Sequence, residues 1–283
     1  MIKLLYPLFL LRSRFPLKLI YAHFKVYAWI LKNIVGYRKA VVRDNLAKCF
    51  PEKSPEELVQ IENDYYRFLA RLGAEIVKNL TMKPEQLKEN VRVKNPEVLQ
   101  QLFEEKDLVF LMVGHYGNWE YISSSLNLQM PQQPYVLYKP FRNEDSQWFI
   151  DKERLRHGTK VIPFKSAYKE IQQLEGKNLI EFISDQSPLR NNAIWKQFFN
   201  RETPVFKGTE KIASRLDAAI VYGHITVGEL GKYELEYIPI EEKSDTTNWP
   251  VTGKVVELLE ANIREAPQYW LWSHRRWKYG PNA

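Results

Sequence analysis

From Val91 onward the chain alternates short β-rich runs with helical stretches, and this alternation constrains the fold more than any other feature. The runs are Val109–Val113, Tyr135–Tyr138, Lys160–Ile162, Leu179–Ile183, Ala219–His224 and Tyr233–Ile238. Helical stretches of about 10–15 residues separate them, which is the pattern of strands joined by crossover helices. The expected fold class is therefore α/β, a central mostly parallel sheet flanked by helices. Ahead of it, Ser54-Pro55-Glu56-Glu57 reads as a capping box with proline at the first helical position. The helix it opens runs to about Leu80, with Leu58, Ile61, Tyr65, Leu69, Leu72 and Ile76 at helical spacing.

Ligands of such sheets gather outside the carboxyl ends of the strands. The run VFLMVGHYGNWE puts His115 just past the Val109–Val113 strand and a carboxylate, Glu120, five residues later. A histidine near its unperturbed pKa can take a proton from an alcohol or amine, while a carboxylate on the far ring nitrogen fixes the tautomer and stabilises the imidazolium. Five helical residues turn through roughly 500°, so the two cannot share one face of a straight helix. They can meet if His115 sits in a turn, which Gly114 and Gly117 permit, and Glu120 in the first turns of the following helix. Asp185 follows the Leu179–Ile183 strand and reaches the same edge of the sheet.

Charge divides the chain differently. Its net charge is +7, yet residues 1–43 carry nine Lys/Arg and no Asp or Glu, whereas the other 240 residues carry 32 basic and 34 acidic groups. The basic residues are interleaved with Leu, Ile, Phe, Tyr and Trp29, a composition suited to an anionic membrane surface. The most apolar stretch, Leu17 to Val35, is cut by Lys18, His23, Lys25 and Lys32, so an interfacial amphipathic helix is expected in place of a span. Residues 1–45 are accordingly assigned to a membrane anchor and 46–283 to the α/β domain. No zinc-finger spacing or glycine-rich nucleotide loop supports a nucleic-acid partner. His23, His157 and His224 fit no metal-ligand spacing, and no metal is expected. The single cysteine, Cys49, excludes an internal disulfide and reads as structural.

The His115–Glu120 run resembles the HxxxxE motif of the lipid A biosynthesis (lauroyl/myristoyl) acyltransferases, relatives of the glycerophosphate acyltransferases with HxxxxD. Further segments resemble that family in the same order: FPEKSPEE from Phe50, VLYKPFRN from Val136, ERLRHGTKVIP from Glu153, ISDQSP from Ile183, FKGTEKIA from Phe206 and APQYWLWSHRRWK from Ala266. HxxxxE alone recurs by chance; the ordered set covers most of the chain. The resemblance implies that His115 and Glu120 form the catalytic pair. It implies a functional arginine in ERLRHG, assigned to Arg154 with Arg156 two residues away, which would grip the phosphate of a lipid or of a carrier's phosphopantetheine. Lys139 stands where relatives show arginine, keeping the charge without the bidentate fork.

Asp185, beside Gln186, would orient Arg154 or the acceptor. Gly208 and Thr209 would open a helix whose N–H groups suit phosphate. Arg275, with His274 and the tryptophans Trp270, Trp272 and Trp277, would sit at a headgroup boundary. No cofactor is implied beyond an acyl-ACP or acyl-CoA co-substrate. The implied reaction moves an acyl chain onto a hydroxyl of a lipid A precursor or similar anionic glycolipid. Acyl carrier protein, the lipid acceptor and an anionic membrane are the expected partners, with a peripheral or monotopic place on the cytoplasmic face of the inner membrane. The rival expectations are N- or O-acylation of aminolipids or other envelope lipids, and a non-catalytic membrane-surface module.

Overall fold

The computed structural model describes residues 2–140, 143–188 and 193–278, so Phe141 and Arg142 of the VLYKPFRN segment lie outside the described residues. The described residues open with the helices α1 (Ile2–Ser13), α2 (Leu17–Asn33), α3 (Lys39–Cys49) and α4 (Pro55–Asn79). There follow α5 (Pro84–Asn90), β1 (Val91–Val93), α6 (Pro96–Glu105), β2 (Leu108–Val113), α7 (Trp119–Gln129), β3 (Gln133–Tyr138), α8 (Glu144–Arg154), β4 (Lys160–Pro163), α9 (Ala167–Ile171) and β5 (Asn178–Ile183). The chain closes with β6 (Ala193–Phe198), β7 (Arg201–Phe206), α10 (Gly208–Leu216), β8 (Ala219–Val227), β9 (Tyr233–Pro239) and α11 (Pro250–Glu265).

Seven strands form one sheet in the order β1-β9-β8-β2-β5-β3-β4. All its pairings are parallel except β8 with β9. The strand β2 lies at the centre because it has no polar side to show: Val109, Phe110 and Leu111 are fully buried. Helices cover both faces of such a strand, and each fully buried side chain of this size contributes about 1.5–3 kcal/mol. β2 pairs with β5 in register, Val113 opposite Ile183, so the two chains leave the sheet side by side. The second sheet is the β6–β7 hairpin. Sequence patterning does not announce it, because its strands carry Lys196, Gln197, Arg201 and Glu202 among the apolar residues.

The helix expected from Pro55 is α4, and its capping box is formed: Ser54 Oγ accepts from the Glu57 backbone N–H at 3.2 Å and Glu57 accepts from that of Ser54 at 2.7 Å. The division expected at residue 45 falls inside α3, whose Val42, Leu46 and Cys49 belong to the main core. Burial raises the Cys49 thiol to about 12, in keeping with a packing role. α1 and α2 rest on α4 through Phe9, Ile20 and Phe24 packed against Ala74 and Val77. Their outer surfaces remain apolar. The exposed large apolar side chains among the described residues all lie between Leu4 and Tyr37, apart from Val59, Leu155, Phe164 and Tyr168. No helix among the described residues is long and apolar enough to cross a membrane.

Candidate active site

The turn after β2 is built by its own small and polar residues. Gly117 has φ +58°, a left-handed conformation that glycine adopts freely, and a Cβ there would press on Ile225 at 3.0 Å. A Cβ at Gly114 would lie 2.5 Å from Leu259, so α11 packs directly over the bare backbone. Asn118 then opens α7, its side-chain oxygen accepting from the Tyr121 N–H at 3.0 Å. Its amide donates to buried Glu75 at 2.9 Å, which ties the turn to α4. His115 projects from the middle of this turn at the carboxyl edge of the sheet.

The carboxylate on its imidazole is Asp185, not Glu120. His115 Nδ1 and Asp185 Oδ1 are 2.5 Å apart. Asp185 Oδ2 accepts the His115 backbone N–H at 3.0 Å and the Trp270 indole N–H at 2.7 Å. Burial by itself would raise the Asp185 pKa, but His115 and these donors outweigh it and hold it down at about 2. An ionised carboxylate can only accept, so Nδ1 carries a proton, and in the neutral imidazole it is Nε2 that presents the lone pair. The Gln186 amide, 3.2 Å from Nε2, is placed to donate to it. The register of β2 and β5 is the physical reason for this partnership: His115 and Asp185 each stand two residues beyond an aligned pair, Val113 and Ile183.

Glu120 has a different partner. Lying in the first turn of α7, it receives both edges of Arg154 from α8, Nε to Oε2 and Nη2 to Oε1, each at 2.7 Å. Its link to His115 is indirect. The Trp119 indole N–H donates to Glu120 at 3.1 Å, and the Trp119 ring meets the imidazole edge-on at 5.0 Å between centroids. Arg154 itself is buried, and burial alone would lower its pKa, but Glu120 more than reverses this. It is thus committed to an internal carboxylate and does not present its fork to a phosphate. Asp185 likewise does not orient it. Arg156 Nη1 donates to the carbonyls of Asn79 at 2.6 Å and Met82 at 2.5 Å, closing the chain just after α4.

Two more acids lie under Arg154, and sequence reasoning missed both. Glu153 is fully buried, bonded by Asn79 and Ser124, and burial with the Glu120 charge raises its pKa. Glu181, in the middle of β5, is fully buried, and burial outweighs the neighbouring Ser123 hydroxyl and pushes it up to about 8. A charged residue inside the apolar run LIEFI was the visible signal. Folded Glu181 therefore keeps a proton that the unfolded chain loses near the ordinary glutamate value of about 4.5. The sign follows: its contribution to stability is complete below about 4.5 and is lost as the pH rises toward about 8. Thermal denaturation from mildly acidic to mildly alkaline pH is expected to show this decline, and Glu181→Gln is expected to flatten it. An unchanged slope in the variant would reject the assignment.

The remaining candidates divide. Thr209 is buried and lines a largely apolar pocket that Asp185 also lines, while Gly208 opens α10 as expected. Lys139 is exposed, the first residue after β3. Arg275 is exposed, but the tryptophans around it are not at a headgroup boundary: Trp270 and Trp272 are core residues, at 2% and 0% exposure. Trp270 is also the Asp185 partner that an apolar reading of WLWSHRRWK concealed. His274 accepts from the Ser187 N–H at 3.3 Å, and burial lowers its pKa to about 4, so it stays neutral. No cluster of metal-binding side chains occurs among the described residues.

The profile of the bacterial lipid A biosynthesis acyltransferases matches residues 4–279. The chain is 22% identical over 246 residues to the lipid A biosynthesis palmitoleoyltransferase of Escherichia coli (strain K12), covering 86% of this chain and 80% of that protein. The lipid A biosynthesis acyltransferase of Shigella flexneri matches to the same extent. That of Haemophilus influenzae is 21% identical over 262 residues, 90% of this chain and 83% of the relative. A match that begins within the first helix and runs past the last tryptophan spans nearly the whole chain. The protein thus belongs to the bacterial lipid A biosynthesis acyltransferase family and is an acyltransferase.

Proposed function

We propose that the protein transfers a fatty acyl chain from an acyl-ACP or acyl-CoA thioester to a hydroxyl of a lipid A precursor at a membrane surface, with His115 as the general base. One observation carries the reading: an imidazole with Nδ1 engaged by an ionised carboxylate and Nε2 directed at Gln186, the carboxylate itself lining a largely apolar pocket. The acceptor hydroxyl takes the place of the Gln186 amide and gives its proton to Nε2. Its oxygen attacks the thioester carbonyl carbon, and the carbon–sulfur bond breaks. The departing thiolate then takes the proton back from Nε2. Asp185 stabilises the imidazolium between these steps. No acyl-enzyme is needed. Deletion of the gene is expected to leave a lipid species lighter by one acyl chain, restored by the wild-type gene and not by His115→Ala. Unchanged lipid mass spectra after deletion would reject this acceptor.

Membrane attachment is part of the same proposal. Seven of the nine basic residues share α1, α2 and the turns after them with the exposed apolar side chains, which suits a helix pair lying in the headgroup region of anionic lipid. Leu4 and Trp29 are 84% and 60% exposed, so changing them leaves the core intact. Leu4→Glu with Trp29→Glu is expected to weaken binding to phosphatidylglycerol vesicles by at least about tenfold, since each lost apolar contact is worth on the order of 1 kcal/mol. High salt is expected to release the wild-type chain only in part. Vesicle binding unaffected by the double change would show that another surface makes the contact.

A further inference from the structure

Three arginines are buried among the described residues: Arg71, Arg154 and Arg276. Arg71 is satisfied by Glu75 and by the carbonyls of Gly228 and Glu229. Arg154 is satisfied by Glu120. Arg276 is 2% exposed, yet its Nε and Nη1 have no hydrogen-bond partner among the described residues. The Asp185 charge offsets part of the cost of burying this guanidinium, but Nε and Nη1 keep the desolvation cost of unmade hydrogen bonds. Burial lowers its pKa only to about 10, so it stays charged.

The position of Arg276 is fixed by its neighbours. Ser187 Oγ donates to the Arg276 carbonyl at 2.5 Å, and Asn45 donates to the carbonyls of Trp272 and His274 at 2.8 and 3.0 Å. The segment is therefore pinned both to the loop bearing Asp185 and to α3. Arg276 lines the same pocket as Asp185, a space of about 610 Å³ counted with its open mouth. Otherwise the walls are largely apolar, including Phe198, Val205, Ile220 and Leu259. A largely apolar cavity lined also by Arg276 and by the carboxylates of Asp185 and Glu210 suits a hydrocarbon chain ending in a polar carbonyl.

We infer that this pocket receives the acyl chain of the donor and that Arg276 donates to the thioester carbonyl oxygen. The inference rests on the acyl-transfer reading and adds a binding role for a residue of the C-terminal segment. When the acceptor oxygen attacks, the carbonyl π pair moves onto that oxygen, and the guanidinium holds the oxyanion. As the intermediate collapses, the pair returns, the carbon–sulfur bond breaks, and the thiolate leaves with the proton from His115. The desolvated cation is worth more to the oxyanion than to the ground-state carbonyl, which is the condition for lowering the barrier.

The test uses the full chain and two unreactive donors on acyl carrier protein. In one the thioester sulfur is replaced by CH2, leaving a ketone; in the other the carbonyl is replaced by CH2, leaving a thioether. The wild type is expected to bind the ketone more tightly than the thioether. Arg276→Met is expected to erase that difference, leave thioether binding unchanged and lower kcat by about 10²-fold. Its melting temperature is expected to stay level or rise, because methionine fills the site without a buried unpaired charge. Arg276→Lys is expected to restore part of kcat. Val205→Trp, which narrows the chain space, is expected to weaken both analogues equally.

The assignment is overturned if Arg276→Met keeps the ketone preference, or if it melts earlier while kcat stays within a few fold of wild type. It is also overturned if Val205→Trp affects neither analogue. Each of these results leaves acyl transfer by the wild type standing. Wild-type protein that neither binds the analogues nor transfers an acyl chain would instead remove the reading beneath it.

Discussion

Asp185→Asn is expected to lower acyl transfer almost as far as His115→Ala, by about 10²–10⁴-fold, in protein that remains folded. The reason lies in the tautomer. Aspartate accepts from Nδ1–H at 2.5 Å and so leaves Nε2 as the base. An asparagine can turn its amide N–H toward Nδ1, which moves the ring proton to Nε2 and removes the lone pair that the hydroxyl needs. His115→Ala removes the base outright. The double variant is expected to be little worse than either single one, because the two residues act as one unit. Initial rates with a labelled thioester, with circular dichroism as the folding control, decide the matter. Near-native turnover by folded Asp185→Asn would break the assignment of this pair.

Glu120 and Arg154 are expected to show the opposite division, with stability lost first and rate second. Removing one member of a buried ion pair strands the other, at a typical cost of 3–5 kcal/mol. Arg154→Ala leaves Glu120 beside Glu153 and Glu181 with no cation among them, so its loss belongs at the upper end of about that range. Replacing both partners with apolar residues of similar size, Glu120→Leu with Arg154→Met, is expected to cost less than Arg154→Ala alone. Denaturant midpoints measure this directly. Activity is expected to suffer through Trp119, which bonds Glu120 and packs its ring against His115. A Glu120→Gln variant with full stability and no transfer would return Glu120 to the chemical role that spacing suggested.

The parts of the fold legible in the sequence were those set by local rules. Ser54 and Glu57 announce the start of α4 because a capping box needs only four residues, and Val109–Val113 announces β2 because a strand buried on both faces is apolar throughout. The alternation of strands and helices identifies a parallel sheet. It also places His115 and Asp185 at one edge, though not that β2 and β5 are neighbours, since strand order depends on crossovers that local patterning does not record. That gap explains the misassigned carboxylate. Glu120 is near His115 in the chain, whereas Asp185 is 70 residues away and near only in space. Trp270 and Arg276 were obscured for a related reason: in sequence, a run of tryptophans and cations looks like a surface, and only the packed structure shows it turned inward.

The in-register pairing of β2 with β5 has a consequence for how such a site can change. The separation of base and carboxylate is set by main-chain hydrogen bonds within the sheet, which are indifferent to side-chain identity. Much of the adjoining pocket stands on other elements: Phe198 and Val205 on a separate hairpin, Val251 and Leu259 on α11. Substitutions there can reshape the pocket while the separation of His115 and Asp185 stays as the strands hold it. The pair's geometry and the pocket's shape are therefore set by different parts of this architecture, so one can change while the other is kept.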